Sequence, residues 1–287
     1  MSRPKVHFIS GLPRSGSTLL CNLLGQNPRF RVAGTSGLVD TLVEVRNKWD
    51  RIPEFRAMKP PMSERKKILA LRGLFDNYFA GHLEGDEKYG DESTPWMGHV
   101  HFDKSRSWLG HMEMLEMILA GPAKVIVCVR DVRDVLASLE KLWRKNSATR
   151  QLPFERDHYM QCQSLAGRLA LWTAHDGIVG LAYSRIKDAI QRGYRDRMLF
   201  VQYELFTSFP TTTLRRIYQF VGEPCPADGF HSSSNVEQLT HENDLAYDFP
   251  GLHEIRPKIE PQPSDWEESL GEAGRPFGVL NKLWEMS

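Results

Sequence analysis

Phe8-Ile-Ser-Gly-Leu-Pro-Arg-Ser-Gly-Ser-Thr-Leu-Leu20 is the stretch on which the reading of this chain turns. An apolar run, Lys5 to Ser10, enters a turn rich in Gly and Ser. Leu19, Leu20, Leu23 and Leu24 then fall on one face of a helix, which Pro28 ends. Strand, tight turn and helix in that order aim backbone N–H groups and a helix N-terminus at one point, and such a point binds phosphate. Gly11 and Gly16 supply backbone freedom, and Ser15, Ser17 and Thr18 supply hydroxyl donors. Arg14 brings a forked, permanent positive charge. The plainer alternative is a capped turn with a surface arginine. The strand before, the helix after and the arginine inside favour phosphate. In the NTPase pattern GxxxxGK, followed by Ser or Thr, a lysine directly precedes the hydroxyl residue. Gly11 and Gly16 keep that spacing, but Ser17-Thr18 follows with no lysine. An NTP hydrolase or kinase would lose its main β/γ-phosphate contact. The expected ligand carries phosphate but is not a conventional NTP.

Outward from the loop, strand-like runs alternate with helical patterns. Arg29 to Ala33 and His99 to Asp103 read as short strands, Lys124 to Val129 as a central parallel strand, and Met198 to Gln202 as another. Between them, Ser63 is placed to cap a helix through Ile68, Leu71, Phe75 and Phe79. A helix over Ser107 to Leu119 is ended by Gly121-Pro122. Further helical faces run through Val132 to Leu142, continuously over Tyr159 to Arg192, and through Leu214 to Val221. The expected class is α/β: a P-loop-type, mostly parallel sheet flanked by helices. Residues 1–287 read as one domain, and from about residue 228 a loop-rich C-terminal segment is expected to cover the nucleotide site.

Composition fits this. The chain has 287 residues, of which 41% are hydrophobic and 25% charged, enough for a sizeable core. Lys+Arg number 37 against 36 Asp+Glu, so no overall field draws nucleic acid. No run is apolar for long enough to span a membrane, and the N-terminal MSRPKVHFISG enters a strand with no room for a signal peptide. Cys21, Cys128, Cys162 and Cys225 are widely spaced, as expected of thiols in a reducing, cytoplasmic setting.

The run VIVCV ends in Arg130-Asp-Val-Arg-Asp134, with Ser138 two helical turns on. Ligands of open parallel sheets bind beyond the C-terminal strand ends, where Arg130 would stand. PRSGST (Pro13–Thr18) and VRDVRDVLAS (Val129–Ser138) resemble the two nucleotide motifs of sulfotransferases that use 3′-phosphoadenylyl sulfate (PAPS). Val201-Gln-Tyr-Glu-Leu205, followed by TTTLRRIYQFVGEP, is similar to a third segment of that family. Together the motifs cover Lys5 to Pro224, and the loop is closest to bacterial and tyrosylprotein-type members. The resemblance implies that Arg14, Ser15, Gly16, Ser17 and Thr18 hold the 5′-phosphosulfate. It implies that Arg130 and Ser138 hold the 3′-phosphate and that Tyr203 lies near the adenine. The family's usual proline is replaced by Val132. PAPS would be the donor and adenosine 3′,5′-bisphosphate (PAP) the product, with no metal called for. A basic C-terminal loop carrying Arg256 and Lys258 would close over the nucleotide.

Sulfonate transfer needs a base for the acceptor, charge on the sulfonate oxygens and a cation at the leaving phosphate. Phe102-Asp-Lys-Ser-Arg106 resembles the family's DKTP segment, which makes Lys104 the catalytic cation beside Arg14, with Arg106 as a further anion contact. Glu92-Ser-Thr-Pro95 is a competing alignment without the lysine. The base is open among Asp40, Glu44, His99 and His101, with Asp40 placed first. A solvated acidic face is the plain reading of the first two, and a structural histidine of the others. Trp49, Trp96 and Trp108 line an acceptor pocket or pack the core. His231, His241 and His253 lack metal-ligand spacing. The acceptor is a small molecule or biopolymer carrying a hydroxyl. The alternatives are a P-loop small-molecule kinase and a catalytically inactive PAP-binding regulatory protein.

Overall fold

Every residue of the VIVCV run is buried, because it forms β4 (Val125–Val129) inside a five-stranded sheet. The computed structural model describes residues 3–80, 99–146, 153–227, 230–239, 244 and 251–285. The other strands are β1 (Lys5–Gly11), β2 (Phe30–Thr35), β3 (Val100–Lys104) and β5 (Met198–Gln202), in the order β2-β3-β1-β4-β5. All four pairings are parallel. Gly11, Thr35, Lys104, Val129 and Gln202 therefore end on one edge of the sheet. β1 lies between β3 and β4, so the chain switches sides of the sheet at β1 and opens a crevice beyond its C-terminal end.

Strand alternation divides the core in two. Val6, Phe8, Val125 and Val127 face one layer with Trp108, Leu115, Val135 and Trp172. Ile9, Ile126 and Cys128 face the other layer with Leu20 of α1 (Ser17–Leu24) and with Ile217 and Tyr218. Each large apolar side chain buried this way contributes about 1.5–3 kcal/mol. Glu140 has no exposure and is gripped by Arg168 through bonds of 2.7 and 2.6 Å, while the Arg168 guanidinium stacks 3.8 Å above Trp143. That pair ties the helix carrying Ser138 to the helix Leu165–Thr173.

Four expectations need correction. The pattern over Tyr159–Arg192 is not one helix but a short 3₁₀ turn and two helices, Leu165–Thr173 and Gly180–Gln191. The chain folds back between them, bringing Gly177 so close to the Leu171 carbonyl that a Cβ would sit at 2.2 Å. Ser63 caps nothing: its helix starts at Pro60, and its hydroxyl donates to Phe55 O and accepts from Trp49 Nε1. The pattern over Ser107–Leu119 divides into a 3₁₀ turn, Trp108–His111, and a helix, Met112–Leu119, whose left-handed cap is Ala120 and not Gly121. The C-terminal segment is irregular only in part. Helix Trp266–Leu270 and a 3₁₀ stretch to Asn281 follow, because Trp266, Leu270 and Trp284 dock on the first core layer.

Candidate functional site

The loop after β1 is shaped by a close approach of backbones. Gly11 has φ +130, and a Cβ there would lie 2.0 Å from the Cys128 carbonyl oxygen. Leu12 N–H donates to that same oxygen at 2.9 Å. The Ser15 hydroxyl, buried, donates to Leu12 O at 2.6 Å, so it closes the loop from within. Arg14 takes a left-handed conformation, φ +57, which costs a non-glycine residue about 1–3 kcal/mol and is typical of strained functional loops. Gly16 (φ +82) caps α1 without a side-chain bond and lets the Tyr203 ring come within 2.8 Å of where a Cβ would stand.

That conformation sends Arg14 out of its own loop. Arg14 Nε donates to Ser138 Oγ at 3.2 Å, and Nη1 donates to Leu252 O at 2.8 Å. Arg130 Nη1 reaches Arg14 O at 3.4 Å, and the Arg130 guanidinium lies 4.5 Å above the Tyr203 ring. Arg130 Nε is buried and has no hydrogen-bond partner among the described residues. Burial lowers the Arg14 pKa, and the charge of Arg130 lowers it further. Two crowded cations and an orphaned N–H make a seat that an anion would stabilise. The turn beneath is tied down by Val132 N–H to Asn281 Oδ1 at 2.9 Å and by Arg133 on Asp131. On the other side of the loop, Lys104 is buried at the tip of β3 and donates to Thr18 Oγ1 at 3.1 Å.

A model of the sulfotransferase family matches residues 7–227.

The chain belongs to the sulfotransferase family.

Solved structures agree on the fold. The sulfotransferase domain of the Synechococcus PCC 7002 olefin synthase aligns with a TM-score of 0.55 at 20% identity, over 100% of this chain and 95% of that one. The sulfotransferase domain from the curacin biosynthetic pathway gives 0.58 at 15% identity, over 98% and 99%. Mouse sulfotransferase SULT7A1, solved in complex with PAP, gives 0.51 at 14% identity, over 97% and 84%. No curated protein matches the chain in sequence at a significant level.

The sulfotransferase brings together Arg14, Arg130, Ser138 and Tyr203 as one cluster, and Lys104 with Thr18 as another. Lys258 is exposed and paired with Glu260, and Arg256 bonds Gln262; among the described C-terminal residues Leu252 bonds Arg14, through its carbonyl. Asp40 and Glu44 are exposed on helix α2 (Leu38–Trp49), where Arg185 and His111 feel the charge of Asp40. His99 and His101 sit toward the opposite end of β3, the latter roughly 10 Å of strand below Lys104. Burial lowers both, with His101 at about 4. Trp108 is core, and Trp49 stacks on Phe55 at 3.7 Å. Trp96, His241 and the alignment Glu92–Pro95 lie outside the described residues. Among the described residues no group of three or more His, Cys, Asp or Glu side chains is placed to hold a metal ion, and no helix is long and apolar enough to cross a membrane.

One residue escaped the sequence reading. Asp103, fully buried beside Lys104, accepts from Trp108 Nε1 at 2.7 Å through Oδ1. Its Oδ2 has no hydrogen-bond partner among the described residues. Burial pushes its pKa up to about 6, against the opposing pull of the Trp108 N–H and the Ser36 hydroxyl. The only signal in sequence was its place in the segment Asp103-Lys104, where the lysine drew the attention.

Proposed function

We propose that this sulfotransferase takes its sulfonate from PAPS, transfers it to an acceptor hydroxyl and releases PAP. The observation that carries this is the convergence of Arg14, Arg130 and Ser138 on one point, with Arg130 Nε left orphaned. A terminal phosphate fits it: several oxygens accept from both guanidinium forks and the serine hydroxyl at once. The Tyr203 ring under Arg130 offers the adjoining surface for a base. A mouse relative of the same fold is solved with PAP, which agrees. The first-turn amides of α1, with Ser17, Thr18 and Lys104, suit the 5′-phosphosulfate. Lys104 then neutralises the oxygen on which the leaving pair remains, while the loop amides hold the sulfonate.

Residues 1–287 are read as one domain, with the Leu252 carbonyl set against Arg14. Cys21, Cys128 and Cys162 are buried in the core, which supports a reducing, cytoplasmic location. The positive charge of Arg14, Lys104 and Arg130 makes a metal unnecessary for this chemistry.

Calorimetric titration with PAP and, in parallel, with ATP–Mg²⁺ tests the reading. Tight PAP binding without metal and weak ATP binding are expected; preference for ATP–Mg²⁺ would point to phosphoryl transfer. The Arg130→Ala variant is expected to lose about 10- to 100-fold in PAP affinity, the worth of charged hydrogen bonds. It should lose far less for adenosine 5′-phosphate, which lacks the 3′-phosphate. Equal losses for both nucleotides would remove Arg130 from the 3′-phosphate.

A further inference from the structure

Three polar side chains lie on neighbouring strands at the C-terminal edge of the sheet, with Ser10 two residues further along β1 than the Phe8 that pairs with Asp103. Ser36 follows β2, Asp103 is in β3 and Ser10 is in β1. Their strands are locked together there: Ser36 N–H donates to Lys104 O at 2.8 Å, Ser105 N–H donates to Ile9 O at 3.0 Å, and Asp103 is in register with Phe8. All three are buried, at 6, 0 and 3% exposure. Yet Asp103 Oδ2 and Ser10 Oγ have no hydrogen-bond partner among the described residues. Unpartnered polar atoms are rare in interiors, and two in one row mark a place that something else completes.

The position of that row matters. Successive residues of a strand point to opposite faces. Lys104 points to the α1 face, where its ammonium meets Thr18, and Asp103 therefore points to the other. Displacement at sulfur requires the incoming oxygen to approach from the side opposite the leaving oxygen. A sulfonate seated over the tip of β3, with its leaving phosphate on Lys104, turns its back to the face of Asp103.

We infer that Asp103 is the base of the transfer, taking the proton of an acceptor hydroxyl that enters between Ser36 and Ser10. This rests on the placement of the 5′-phosphosulfate at Lys104 proposed above. In the step, the acceptor O–H proton passes to Asp103 Oδ2 as the acceptor oxygen bonds to sulfur. The bond from sulfur to the bridging oxygen breaks, and its electron pair stays on the 5′-phosphate beside Lys104. Trp108 Nε1–H holds Oδ1, which leaves Oδ2 directed at the proton. A carboxyl held near 6 by burial is largely ionised at neutral pH and still basic enough to be useful. The groups that act on it are the Trp108 N–H and the Ser36 hydroxyl, and among the described residues no charged side chain enters its balance. His101, two residues down on the same face, is neutral near pH 7 because burial lowers it to about 4.

The test uses the full chain and two readouts. The first is carboxyl ¹³C NMR of wild-type protein, with the Asp103 signal identified by its loss in Asp103→Asn. PAP binding brings phosphate charge to the other side of the strand tip, and is expected to raise the Asp103 midpoint. A midpoint that PAP leaves unchanged would overturn the assignment, and this readout needs no acceptor. The second is PAP release from PAPS with phenol, whose hydroxyl keeps its proton at neutral pH, and with water alone as acceptors. Asp103→Asn is expected to fall about 100-fold in turnover. It should also lose the acidic limb of the pH profile, while calorimetry finds wild-type PAP affinity. Wild-type release with an unchanged profile would sink the proposal. Failure of wild-type protein to bind PAP would instead bring down the cofactor reading, and the base assignment with it.

Discussion

A Gly11→Ala chain is expected to melt well below the wild type and to bind no PAP. The alanine Cβ would sit 2.0 Å from the Cys128 carbonyl oxygen and 2.7 Å from its nitrogen, all of it backbone. No rotamer change relieves such a contact. Cys128 cannot retreat, because β4 is paired on both sides, to β1 and to β5. The backbone at φ +130 is itself closed to alanine. The bond from Leu12 N–H to Cys128 O is the first to break, and with it the turn that aims the loop amides. A cost of about 4 kcal/mol or more is expected, at the exceptional end for single substitutions. In a domain of this size that lowers the melting temperature by roughly 10 °C. Gly37 is the control: φ is −89, nothing lies within 4 Å of its added Cβ, and Gly37→Ala should melt with the wild type. Thermal melts and PAP titrations of both variants decide the matter. A Gly11→Ala protein with wild-type melting and affinity would show that the loop is not built by this approach.

The second large effect is expected on rate. Lys104→Ala should slow sulfonate transfer about 10²- to 10³-fold, the range seen when a group stabilising transition-state charge is removed. PAPS affinity should stay nearly intact, because the bridging oxygen gains its full charge only as the bond to sulfur breaks, whereas PAP, whose 5′-phosphate already carries that charge, should bind more weakly. Lys104→Arg is not expected to restore the rate. The ammonium is a compact charge on a buried stem reaching Thr18, and a planar guanidinium needs room the strand tip does not have. Single-turnover rates measured over a range of PAPS concentrations separate the two quantities. Wild-type turnover in Lys104→Ala would remove the lysine from catalysis.

What could be read from the sequence was local or repeated. The first strand, loop and helix are contiguous, and each residue type matches its backbone need. The VIVCV run is continuous because both faces of β4 are buried. Arg130 and Ser138 were legible through a motif, although spacing alone could not bring them to one point. The remainder depends on contacts distant in sequence. Arg14 leaves its own loop to meet Ser138, 124 residues away, which no local pattern announces. Asp103 is adjacent to Lys104 in sequence but belongs to the opposite face, and His-Phe-Asp-Lys is too short to show which layer each buried polar residue faces. The break in the pattern over Tyr159–Arg192 comes from glycines pressed on carbonyls, a packing fact invisible in helical periodicity.

Val132 shows how the two anchors differ in origin. In place of the proline that the family resemblance leads one to expect, whose ring would fix the turn by itself, this chain has Val132, with an N–H to give. That hydrogen goes to Asn281, 149 residues on, in the 3₁₀ stretch near the chain's end. The rigidity of the turn behind Arg130 is thus borrowed from the far end of the chain. The first phosphate loop is complete once β1 and β4 have paired. The turn that carries Arg130 is complete only when the last helices have docked, so shortening the C-terminus is expected to weaken PAP binding if Arg130 holds the 3′-phosphate as proposed.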